Sequence, residues 1–169
     1  MLMNWLATIA LSTTAYTFSD QGPLPGDAKS NEAALGVHVL SHSSGDHSIL
    51  LGLDARQDLG SDLLGTRLGI RGEWRPAWSA EPALAASWFF GDTFVSRSRD
   101  RQYNGDSLAL SLAATFNHVR VFAETRLGSY HEGPGFIFLP RRPGDESAGT
   151  RSFCVGFIIP IGTTASPAQ

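Results

Sequence analysis

Near the end of one apolar-periodic segment, Ser129, His131 and Glu132 bring a hydroxyl, an imidazole and a carboxylate within four positions. A serine activated by a histidine, itself oriented by a carboxylate, is the skeleton of a nucleophilic acyl hydrolase. An i, i+2 pair shares one face of a strand, so Ser129 and His131 can address the same substrate. An i, i+2 serine and histidine at a strand end also arises readily by chance, and catalysis is the minor reading.

His38, His42 and His47 raise a second chemistry, metal binding. As strand neighbours His38 and His42 share a face, but four residues of strand separate them by about 13 Å, too far for one ion. His47 reaches His42 only across a turn, with Asp46 its one carboxylate. Solvated histidines on a polar turn are the better account. Ser43-Ser44-Gly45-Asp46 is turn chemistry without the length of a phosphate loop. The lone Cys154 excludes an intramolecular disulfide and any multi-cysteine metal site. No metal and no cofactor is expected.

The third group is larger and less like a catalyst. In Thr66 to Arg75, the residues Thr66, Leu68, Ile70, Gly72 and Trp74 alternate with Arg67, Gly69, Arg71, Glu73 and Arg75. This is a strand with one oily and one charged face. Arg120, Glu124 and Arg126, with Asp54 and Arg56, repeat the arrangement elsewhere. Charges on one side of a closed sheet must pair across strands, which predicts an interior network of Arg67, Arg71, Glu73, Arg75, Arg120, Glu124 and Arg126. Its simplest role is a plug that holds a barrel in register.

The elements that must position these groups are all extended. Ala33 to His42, Ser48 to Arg56, Thr66 to Arg75, Ala83 to Val95, Asp106 to Phe116, Val119 to Tyr130 and Thr150 to Ile161 alternate with period two, and no helical period competes. Met1 to Phe18 reads either as a signal peptide or, preferably, as a first strand with Trp5, Ala7, Ile9 and Leu11 on one face. With it as a strand, the joins alternate long and short: Ser19 to Glu32, Ser43 to His47, Gln57 to Gly65, Pro76 to Pro82, Ser96 to Gly105, Asn117-His118 and His131 to Gly149. Such alternation predicts one all-β domain over 1–169, an antiparallel up-and-down β-barrel of eight membrane-embedded strands, with a polar tail at 162–169.

Composition agrees. Net charge is −3 and Lys29 is the one lysine, so no basic face invites nucleic acid. The face opposite the oily one is small on the later strands, as a narrow barrel interior needs. Trp5, Trp74, Trp78 and Phe116 fall at one set of strand ends, like an aromatic girdle. In pattern over nearly its whole length, the chain resembles the small eight-stranded outer-membrane barrels of Gram-negative bacteria. The resemblance implies a cell-envelope protein in contact with outer-membrane lipid, structural or surface-interacting, and not an enzyme. The join from His131 to Gly149 adds Phe136, Phe138, Arg141 and Arg142, apolar and cationic groups suited either to a partner or the phosphates of lipopolysaccharide, or to folding back over the barrel mouth as a lid. Ile159-Pro160-Ile161 resembles the end of the lipid A deacylases, but Glu124-Thr125-Arg126 stands near the place of that family's His-x-Ser pair. The alternatives are therefore a lipid acyl-ester hydrolase using Ser129, His131 and Glu132, and a soluble calycin-like barrel around a small apolar ligand.

Overall fold

The computed structural model of the chain describes residues 5–18, 27–60, 63–96, 101–116, 119–132 and 147–161. They form eight strands: β1 (Trp5–Phe18), β2 (Asp27–Ser43), β3 (His47–Asp58), β4 (Leu63–Pro76), β5 (Ala83–Ser96), β6 (Arg101–Phe116), β7 (Val119–Glu132) and β8 (Ser147–Pro160). Each strand pairs antiparallel with the next, and β8 returns to β1, so the sheet is a closed barrel without edges. The start of β1 and the end of β8 share one end of the barrel with the joins 44–46 and 77–82.

Register sets the barrel's width. Ladder partners run from Ala7 through Val37, Leu53, Ile70, Trp88, Leu108, Leu127 and Arg151. They come back to β1 at Thr17, ten residues from the start. Eight strands with a stagger of ten tilt by about 43° and enclose a cylinder of about 8 Å radius. Side chains from the wall therefore meet at the axis.

Alternation decides which side chains those are. Leu110 and Phe157, on the outer face, are 59% and 41% exposed, while Arg67 and Glu124, inside, are 1% and 2% exposed. Leu35, Leu51, Leu53, Ile70, Leu84 and Val155 join the outer apolar belt, and Trp74, Trp78 and Phe116 lie exposed toward the termini-bearing end. The side chain of Trp5 lies outside the described residues. Ser87, Ser107, Ala109, Ser111 and Cys154 on β5, β6 and β8 are buried and short, which leaves the axis to arginines from β3, β4 and β7.

Three details depart from the sequence expectation. The strands run past the oily segments, so the joins 59–62 and 97–100 have four residues each and 77–82 has six. Long and short joins therefore do not strictly alternate. Ladder hydrogen bonds need only backbone, so polar residues stay paired beyond the apolar belt. A bulge in β2 between Leu40 and His42 breaks the period, so His38 is buried and His42 exposed instead of sharing a face. A second irregularity in β5, between Phe89 and Asp92, brings Asp92 and Phe94 inward.

Gly69 on β4 sits against that irregularity. A Cβ there would run into the Trp88 carbonyl oxygen and lie 2.8 Å from the Phe89 ring. At Gly72, on the open outer face, the same atom would meet only Leu51 at 3.5 Å. Gly69→Ala is expected to cost about 1–3 kcal/mol in urea unfolding from lipid vesicles, with Gly72→Ala near neutral.

Candidate functional site

The interior charges form three connected tiers. Farthest from the termini, Arg67 of β4 reaches Asp58 at 2.8 Å, Glu32 at 2.9 Å and Asp92 at 3.1 Å. Tyr16 accepts a hydrogen bond from Arg67 and donates one to Asp58, each 2.8 Å. Ser107 and Tyr130 both donate to Asp92 at 2.6 Å. Phe94 stacks on Tyr103 and meets Tyr130 edge-on, which packs this end with rings.

The middle tier crosses the full barrel. Arg56 of β3 donates two parallel bonds, 2.6 and 2.9 Å, to Glu124 of β7, four strands away around the ring. Such a fork is the strong form of the guanidinium–carboxylate pair. Arg56 also holds Asp54 and Glu32, and Arg126 bonds Glu32 and Glu124. The guanidinium carbons of Arg56 and Arg126 lie 4.7 and 5.3 Å from the Phe89 ring centre.

The tier nearest the termini gathers three cations on one carboxylate. Arg71 donates to Glu73 at 3.1 and 3.2 Å and to Ser111 at 3.1 Å. Arg75 and Arg120 also bond Glu73. Below them the turn residue Glu81 has a left-handed backbone (φ 43°), and its carbonyl accepts from Arg120 at 3.4 Å. The interior space here amounts to about 580 Å³. His38 lines it, its ring seated where Gly52 leaves room: a Cβ on Gly52 would lie 2.7 Å from the imidazole.

The structure thus places Arg67, Arg71, Glu73, Arg75, Arg120, Glu124 and Arg126 on the inner face in two hydrogen-bonded groups, one around Glu32 and Glu124 and one around Glu73, with Arg71 3.9 Å from Glu124 between them. It adds Tyr16, Glu32, Asp58, Asp92 and Tyr130, which the alternation of the oily segments did not single out. Glu32 and Asp58 lie just beyond the segments read as strands, where extending the alternation by two residues finds them. The β5 irregularity hides Asp92 from any simple period.

The other candidates do not assemble. Ser129 is exposed on the outer face and His131 partly so, opposite Asp106 and Asn104 in the ladder. No hydrogen bond joins Ser129 to His131 among the described residues, so the nucleophile–base contact of a hydrolase is not formed. The Glu132 side chain, and Phe136, Phe138, Arg141 and Arg142, lie outside the described residues. His42 and His47 approach with ring centres 5.4 Å apart, and Ser44 lies within hydrogen-bond distance of His47 Nδ1. No cluster of three metal-ligating side chains occurs among the described residues.

Without Arg67, the buried Asp58 and Asp92 lose the arginine that pairs with them, while Glu32 keeps Arg56 and Arg126. Arg67→Met is expected to destabilise the barrel by about 3–5 kcal/mol in urea unfolding from vesicles. Arg75→Gln, at the wetter end, is expected to cost less than about 1 kcal/mol in the same measurement.

No protein-family model matches the sequence, and no curated protein is similar enough to count as a relative. Solved structures do match. Neisserial surface protein A (NspA) aligns over 90% of this chain and 96% of its own, with TM-score 0.50 and 10% identity. Ail, the attachment invasion locus protein of Yersinia pestis, aligns over 94% and 100% with TM-score 0.36 and 10% identity. The outer membrane protein OprG from Pseudomonas aeruginosa aligns over 95% and 97% with TM-score 0.42 and 6% identity. The chain has the fold of the small eight-stranded outer-membrane barrels, the architecture it shares with NspA.

Proposed function

We propose that this protein is a structural or surface-interacting barrel of a bacterial outer membrane, its interior closed by the ion-pair network. One observation carries the reading: the oily residues are outside and the charged ones inside, the reverse of a soluble barrel. An apolar belt of this extent has no stable exposure to water, and lipid is the solvent that suits it. The soluble calycin-like alternative needs the opposite distribution. On SDS gels the unboiled protein should migrate apart from the boiled form. Leu110→Arg should cost about 2–4 kcal/mol of stability in vesicles, as a charge at mid-membrane depth does. Identical migration with and without boiling, together with an unperturbed Leu110→Arg variant, would count against the membrane placement.

The surface role falls to the join 133–146, fourteen residues and the longest between strands. Its Phe136 and Phe138 beside Arg141 and Arg142 suit a phosphorylated lipid headgroup, that of lipopolysaccharide. The double variant Arg141→Ala/Arg142→Ala should bind lipopolysaccharide vesicles at least about tenfold more weakly than the parent, with folding intact. Equal binding would take the surface role away from this join.

A further inference from the structure

We propose that the barrel interior nearest the chain termini is a binding site for a small organic anion, a carboxylate or phosphate on a short apolar body. This goes beyond the outer-membrane reading and rests on the interior alone. The space, about 580 Å³, falls in the range of small-molecule sites. Its lining is mixed. Leu6, Ala10, Phe122 and Ile158 supply apolar surface, and Arg71, Arg75 and Arg120 supply cationic groups, Arg120 being the ladder partner of Ile158.

Hydrogen-bond capacity decides the sign of the ligand. Four carboxylates also line the space: Glu32, Asp54, Glu73 and Glu81. Each accepts at least one hydrogen bond, Asp54 through Oδ2 and Glu81 through Oε2. Glu32 and Asp54 are held by Arg56, with Glu32 also bound by Arg67 and Arg126. Glu73 accepts from Arg71, Arg75 and Arg120, and Glu81 accepts from Thr115.

The donors are in surplus. Each arginine carries five N–H groups. Together Arg71, Arg75 and Arg120 make six hydrogen bonds to protein among the described residues. Arg71 Nη1 stands 3.9 and 4.0 Å from Glu124 and Asp54, beyond hydrogen bonding. Arg120 Nε is buried without an acceptor, and Nε2 of His38, a residue 5% exposed, is buried without a partner. Among the described residues that line the cavity, the buried side-chain atoms left without a partner are these two nitrogens, and no carboxylate oxygen is among them. An anionic head supplies the strongest acceptors, since a charged donor bonds a charged acceptor about twice as strongly as neutral groups bond each other. An apolar body then covers Phe122 and Ile158.

The test uses the full chain refolded in uncharged maltoside micelles, with 4-fluorobenzoate as probe and 4-fluorobenzamide as its neutral isostere, read by ¹⁹F line broadening. Saturable binding of the benzoate is expected, at least about tenfold tighter than the amide. It should be lost in Arg75→Gln/Arg120→Gln while heat-modifiable migration persists, and unchanged in Arg151→Gln on the outer face. Arg75→Gln alone, with a smaller loss, serves if the double variant does not fold. Absence of saturable binding, equal binding of benzoate and amide, or full binding by folded Arg75→Gln/Arg120→Gln would each overturn the proposal. Heat-modifiable migration without benzoate binding would leave the outer-membrane reading standing and remove this one.

Discussion

The fork between Arg56 and Glu124 spans the barrel from β3 to β7, and the rest of the interior is arranged around it. A charge on the wall of a cylinder about 8 Å in radius cannot reach water sideways, so it must find an opposite charge at the axis. Taking one such charge away leaves the others uncompensated in a dry space. Closure of the sheet therefore fixes which residues meet. A slip of one position in any strand would send its arginines into the outer apolar belt and its leucines inside. Such a slip would part the ion pairs, and the apolar belt outside penalises it too.

Packing explains why the two ends differ. Where Tyr16, Phe94, Tyr103 and Tyr130 enter, rings and carboxylates surround Arg67 and little space remains. Toward the termini Ala10, Gly36 and Ala113 are small inward residues of β1, β2 and β6, and the arginines spread around Glu73 with room beside them. Among the described residues, six interior arginines face six carboxylates, Glu32, Asp54, Asp58, Glu73, Asp92 and Glu124. The interior is thus balanced in sum but uneven along the axis. Beside the rings three carboxylates meet Arg67, and toward the termini three arginines meet Glu73.

Much of this was legible from alternation alone. Thr66 to Arg75 already separates an oily face from a charged one, and Leu108 to Phe116 repeats the period against serines and alanines. What periodicity cannot show is where it breaks. One extra residue between Leu40 and His42 separated two histidines expected on one face. The irregularity before Asp92 turned an apparent outward carboxylate into a partner of Arg67. Strand ends were misplaced because polarity marks the limit of the apolar belt, not of backbone pairing, so Glu32 and Asp58 were missed. The cavity escaped for another reason: its volume comes from small side chains that face one another only after closure. Ser129 and His131 do lie on the same side of β7, yet a shared face does not make a hydrogen bond.

Orientation is tested most directly by site-specific spin labels along β6, in a Cys154→Ala background reconstituted into liposomes. The labelled sites are Leu108, Leu110 and Leu112 on the outer face and Ser107, Ala109 and Ser111 on the inner face. Each is replaced singly by cysteine and spin-labelled, and its accessibility to oxygen, which concentrates in hydrocarbon, is compared. High accessibility at 108, 110 and 112 and low accessibility at 107, 109 and 111 is the predicted result, a period of two. Uniform accessibility along the strand, or the opposite phase, would contradict a barrel with lipid outside and charge within.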